Sequence, residues 1–100
     1  MIKHIVLWKL KEEAEGRSKK ENAFELKNRL EALKSQIPEI LQLEVGLSIE
    51  SGETVSDVAL YSSFKDKAAL EIYQKHPEHQ KVVGYVRQIT AERRVVDYEI

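Results

Sequence analysis

The sequence predicts an α+β fold in the order β-α-β-β-α-β, with its four strands in one antiparallel sheet and its helices packed on one face. Three observations predict it. Four separate stretches alternate apolar and polar residues, the period of a half-buried strand. The segments between them carry apolar residues three and four apart, the period of a helix with one buried face. The first strand is apolar on both faces at its centre, the mark of a strand covered on both sides.

In residues 2–10, Ile2, His4, Val6, Trp8 and Leu10 alternate with Lys3, Ile5, Leu7 and Lys9. Ser18-Lys19-Lys20-Glu21 has the form of a capping box, in which serine and glutamate each satisfy an orphan backbone N–H. Behind it Ala23, Leu26, Leu30, Leu33 and Ile37 form a stripe, and Pro38 ends the helix near Ile37. Leu43, Val45, Leu47 and Ile49 then read as a half-buried strand, and Ser51-Gly52-Glu53 as a turn. Val58, Leu60 and Phe64 mark the third strand. Asp66 is placed to cap a short helix carrying Ala69, Leu70 and Tyr73. His76-Pro77 interrupts that helix, and Pro77 suits the first position of another, with Val82, Val83, Val86 and Ile89 at helical spacing. The chain closes with Arg94, Val96, Tyr98 and Ile100 alternating with Arg93, Val95, Asp97 and Glu99. This is the split βαβ, ferredoxin-like arrangement.

Such a unit alone leaves one sheet face wet, yet Ile5 and Leu7 oppose Val6 and Trp8. Burying an aliphatic side chain is worth about 1.5–3 kcal/mol. A second copy covering the outer face is therefore expected, and with it a homodimer.

A chain of 100 residues with 42% hydrophobic and 33% charged residues is one folded domain, residues 1–100. Its longest apolar run, Ile5 to Trp8, is far short of the roughly 20 residues that span a bilayer. No membrane association is expected, no secretory signal is visible, and cytoplasm is the expected location. Cysteine is absent, which excludes disulfides and thiolate metal sites. The net charge is −1, and Arg17, Lys19 and Lys20 adjoin Glu21 while Arg93-Arg94 adjoin Glu92. These read as solvated surfaces, and no nucleic-acid partner is expected.

The chemistry-bearing side chains concentrate in Tyr73-Gln74-Lys75-His76-Pro77-Glu78-His79, which sets a phenol and two imidazoles at a helix break. A neutral imidazole can exchange a proton near pH 7, and a phenol can donate to a developing oxyanion. The plainer alternative makes His76 a helix cap, His79 solvated and Tyr73 core. His4 shares a strand face with Trp8 and Leu10, the setting of a hydrogen-bonded core histidine. Asp97 is costly to bury unpaired. It is either an exposed edge residue or, if the first and last strands are neighbours, the partner of His4 or His79. His4, His79 and Asp97 could in principle form a two-histidine, one-carboxylate set, but the expectation is no metal.

The opening Met1-Ile2-Lys3-His4-Ile5-Val6-Leu7-Trp8-Lys9-Leu10-Lys11, the central Tyr73-x-x-His76-Pro77-x-His79 and the closing Val95-Val96-Asp97-Tyr98 together resemble the stress-responsive A/B barrel (Dabb) family. The resemblance implies a dimeric α/β barrel. Most members have no assigned activity, and one plant member is a polyketide cyclase that closes its substrate by an intramolecular aldol condensation. By position, its catalytic pair falls on Tyr73 and His79, its strand histidine on His4 and its supporting aspartate on Asp97. The resemblance then implies that His79 removes a proton between two carbonyls, Tyr73 bonds the carbonyl that becomes an enolate, Asp97 orients an imidazole and His4 lines the pocket. Trp8 stands where that cyclase carries a smaller aliphatic, which narrows the pocket. Two readings follow: a barrel that binds a small carbonyl-bearing or aromatic metabolite, and a cofactor-independent, cyclase-like enzyme using His79 and Tyr73. Neither requires a cofactor, since no Gly-rich phosphate loop is present.

Overall fold

Nine elements follow one another in the computed structural model, which describes Met1–Ile100: β1 (Ile2–Leu10), β2 (Glu13–Ala14), β3 (Arg17–Ser18), α1 (Lys19–Gln36), β4 (Gln42–Leu47), β5 (Val58–Phe64), α2 (Lys67–Lys75), α3 (Pro77–Ile89) and β6 (Thr90–Glu99). β4, β5, β1 and β6 lie side by side in that order, every pair antiparallel. This is the ferredoxin-like α+β fold, with the first and last strands adjacent. The β1–β6 register sets His4 opposite Asp97 and Trp8 opposite Arg93.

The helices start and stop where local chemistry dictates. Ser18 caps α1, its hydroxyl accepting from the Glu21 N–H at 3.2 Å while its own N–H donates to the Glu21 carboxylate at 3.0 Å. Both orphan donors are satisfied reciprocally. Ala23, Leu26, Leu30, Leu33 and Ile37 are buried, one continuous contact against the sheet. Asp66 caps α2 by accepting from the Ala69 N–H at 2.9 Å. His76 ends α2 and caps α3, its Nδ1 accepting from the Glu78 N–H at 3.1 Å, with Pro77 in the first turn.

Two details depart from the sequence reading. Ile49 is outside β4 and 96% exposed. The strand ends at Leu47 because the Ser48 hydroxyl turns to bond both the N–H and the carbonyl of Glu50. The second departure is the β2–β3 hairpin, joined by Glu15 and Gly16 with φ of 53° and 73°. Two consecutive left-handed residues match the right-handed twist of a tight hairpin, but glutamate rarely takes this conformation, so its sequence signal is faint. Asn22 ties this hairpin to the helices. It is fully buried, donates to the Ala14 carbonyl at 3.0 Å and accepts from the Tyr85 hydroxyl at 2.8 Å.

The two faces of the sheet differ. Ile2, His4, Val6, Trp8 and Leu10 of β1 are buried beneath the helices. On the opposite face Ile5 is half-buried and Leu7 is 38% exposed. The register brings Ala59, Tyr61, Val96 and Tyr98 beside them. The centre of the outer face is thus open and apolar, bordered by Lys3, Glu44 and Arg94. No helix is long and apolar enough to cross a membrane.

Candidate functional site

A cavity of about 300 Å³ opens between the inner sheet face, α1 and α3. Its floor is β1, through His4, Val6 and Trp8, and its far wall is α3, through Val82, Val83 and Val86. Tyr73 enters from α2 and His79 from the first turn of α3. The proline break matters here. It lets two short helices meet at an angle, so Tyr73 and His79 pack with ring centroids 4.3 Å apart and planes at 47°. The Tyr73 ring also meets Phe64 at 5.0 Å and His4 edge-on at 6.1 Å.

His79 Nδ1 lies 3.1 Å from the Gln74 carbonyl. A carbonyl only accepts, so Nδ1 carries the proton and neutral His79 keeps a lone pair on Nε2. Burial is the chief cause that lowers its pKa, opposed by the Gln74 bond, and the neighbouring Arg93 guanidinium lowers it further. Burial likewise pushes the Tyr73 pKa far up, with Arg93 acting weakly against it. Low dielectric disfavours the charged form of each group, so the pair persists as a neutral acceptor and a neutral donor. The Tyr73 hydroxyl and the Trp8 indole N–H are both buried without any hydrogen-bond partner.

His4, Trp8, Tyr73 and His79 therefore line one cavity, and Asp97 does not. Asp97 sits on β6 directly across from His4, and its carboxylate accepts from His4 Nδ1. Of the two histidines open to it in the sequence, His4 is its partner, and Asp97 remains 41% exposed. His4 is held with its ring beneath Tyr73 rather than free to turn. No cluster of three or more His, Asp or Glu side chains is placed to hold a metal ion. His76 is turned to its capping bond and does not line the cavity.

Two residues of the site were not singled out in the sequence. Arg93, read as part of a solvated surface, lines the cavity from β6, and Arg87 does so from the end of α3. The signal for Arg93 was its alternation: it shares a strand face with Val95 and Asp97.

No curated protein is significantly similar to this chain. Solved structures are. A dimeric protein of unknown function with a ferredoxin-like fold from Bacteroides fragilis is 34% identical, with 99% of this chain and 95% of that one covered and a TM-score of 0.83. A dimeric ferredoxin-like protein of unknown function from Jannaschia sp. is 27% identical over 99% of this chain and 98% of that one, with a TM-score of 0.74. The hydroxynitrile lyase of Passiflora edulis, 17% identical over 99% of this chain and 92% of its own with a TM-score of 0.82, shares the fold. Residues 2–100 match the stress responsive A/B barrel domain across the sheet, the helix break and the last strand alike, and the chain belongs to that family.

Proposed function

We propose that this protein is a homodimer that binds a small carbonyl-bearing or aromatic metabolite in the cavity beneath Tyr73. One observation carries the binding reading: two buried donors, the Tyr73 hydroxyl and the Trp8 N–H, have no acceptor within the protein. An unsatisfied buried polar group costs about 1–3 kcal/mol. A ligand carbonyl supplies the missing acceptor, and the aliphatic and aromatic wall receives its carbon frame. Tyr73 is wholly covered, so a ligand that reaches its hydroxyl displaces the His79 ring or a valine of α3 slightly. The homodimer is supported by the open apolar face around Leu7, Val96 and Tyr98 and by the dimeric state of the Bacteroides fragilis and Jannaschia proteins.

The test is a thermal-shift screen with small aromatic ketones and acids, because a ligand that binds only the native state raises its stability. The expected result is a rise in melting temperature that Tyr73→Phe diminishes. An unmoved melting temperature across the panel, or equal shifts in wild type and Tyr73→Phe, overturns the binding reading.

A second reading, cofactor-independent proton abstraction, rests on His79. Its Nε2 lone pair beside a protonated phenol is a base next to an oxyanion donor, the pair that an enolate-forming step needs. Asp97 would serve this chemistry through His4, fixing that ring against Tyr73.

A further inference from the structure

The cavity carries charge that neither its neutral donor–acceptor pair nor the rest of the chain explains. Thirteen residues line it, two of them arginines and none a carboxylate, in a chain whose net charge is −1. Neither Arg87 nor Arg93 makes an ion pair, although Arg17, Arg29 and Arg94 all do. The acid nearest Arg93 on its strand face is Asp97, four residues along, and that carboxylate is taken by His4. Both arginines are exposed, so they stand at the rim with their charge hydrated and available. Arg93 is directly opposite Trp8 in the β1–β6 register, which sets it beside one of the two unpartnered donors. Arg93 lines the same cavity as Tyr73 and His79.

We propose that the cavity selects an anionic ligand, a small carboxylate whose carbonyl or aromatic part enters toward Tyr73 while Arg93, aided by Arg87, holds the carboxylate at the rim. The proposal rests on the binding reading above and adds the charge of the ligand to it. A guanidinium offers a planar fork of donors that matches a carboxylate in two parallel bonds, and such charge-assisted bonds are roughly twice as strong as neutral ones. The rim is where this contact forms most readily: the ligand loses little hydration there, while its apolar part gains from burial inside. Selection thus comes from the sign of the charge at the rim and the shape of the wall behind it.

The experiment compares salicylate with salicylamide, which share a shape and differ in charge, by titration calorimetry at pH 7 on the protein in its native assembly. Salicylate is expected to bind at least about tenfold more tightly, the scale of one charge-assisted contact. Arg93→Gln is expected to remove that preference by weakening salicylate about tenfold more than salicylamide, and Arg93→Lys to keep part of it, since a point charge replaces the fork. Rising ionic strength is expected to weaken salicylate alone. Equal affinity for both probes, unaltered by Arg93→Gln, overturns the anion proposal and leaves the binding reading standing. Binding of neither probe, together with a failed ligand screen, overturns both. A change of assembly in Arg93→Gln, with both probes lost together, makes Arg93 a subunit contact and ends the proposal.

Discussion

Tyr73 and His79 show how one physical cause shapes two groups in opposite directions. Burial raises the pKa of the acid and lowers that of the base, and the result is a protonated phenol beside an unprotonated imidazole. The His79 resonance is therefore expected to titrate below the ordinary histidine value of about 6.5 in an NMR pH series. Its sign for stability follows from linkage. The unfolded chain takes up the proton first, so the contribution of neutral His79 is complete above about pH 6.5 and is lost as pH falls from there through the folded-state pKa. His79→Gln should flatten the melting temperature across that window, and an unchanged slope would refute the assignment. Tyr73 gives a sharper contrast. Tyr73→Phe removes a buried hydroxyl that bonds nothing, so the unliganded protein should gain about 1 kcal/mol in a denaturant melt while ligand binding weakens. On the catalytic reading, proton exchange at the acidic methylene of a β-keto acid should fall about 10²–10⁴-fold in His79→Ala. The loss in Tyr73→Phe should be about 10²–10³-fold. Equal exchange in all three proteins would leave a binding module.

The elements are held by contacts close in sequence wherever the sequence made them legible. The α1 capping box, the Asp66 cap and the Pro77 break all depend on residues within a turn of one another, and all three stand where the residue types indicate. Ser18→Ala should lower stability by about 1 kcal/mol in urea unfolding, the usual loss for an N-cap side chain. No change would mean that hairpin contacts, not the cap, fix the start of α1. Where long-range partners decide, legibility failed. Ile49 has the right period for β4 but no partner on β5: the register ends at Leu47 with Val58, and Ser48 begins the turn. The β2–β3 hairpin is stabilised from outside, through Asn22 and Tyr85, 63 residues apart.

At the scale of the molecule the decisive feature is that the two sheet faces are unlike in cover but alike in character. On the inner face the β1 and β5 residues are buried under the helices and only β6 is left open, while Leu7, Val96 and Tyr98 on the outer one remain between 38% and 51% exposed. A small domain has little stability in reserve, so an apolar face of this breadth favours a second copy. Leu7→Lys should weaken the dimer in sedimentation and lower stability by a few kcal/mol, about the scale for burying an unpaired charge. A wild-type protein that sediments as a monomer at micromolar concentration would sink the homodimer.

Periodicity alone determined the order of the four strands and the helical segments, the stripe of α1 and the two-faced character of β1, because each depends on side-chain direction within one element. Tyr73, His79, His4 and Asp97 were legible as chemistry-bearing types, but their grouping was not. That Asp97 serves His4 rather than His79 depends on the β1–β6 register, which pairs residues 93 positions apart. That the exposed Arg93 stands at the rim of the cavity depends on which face of β6 turns toward the helices. Alternation states that such faces exist; only the packing of the sheet against α1 and α3 decides which one encloses a site.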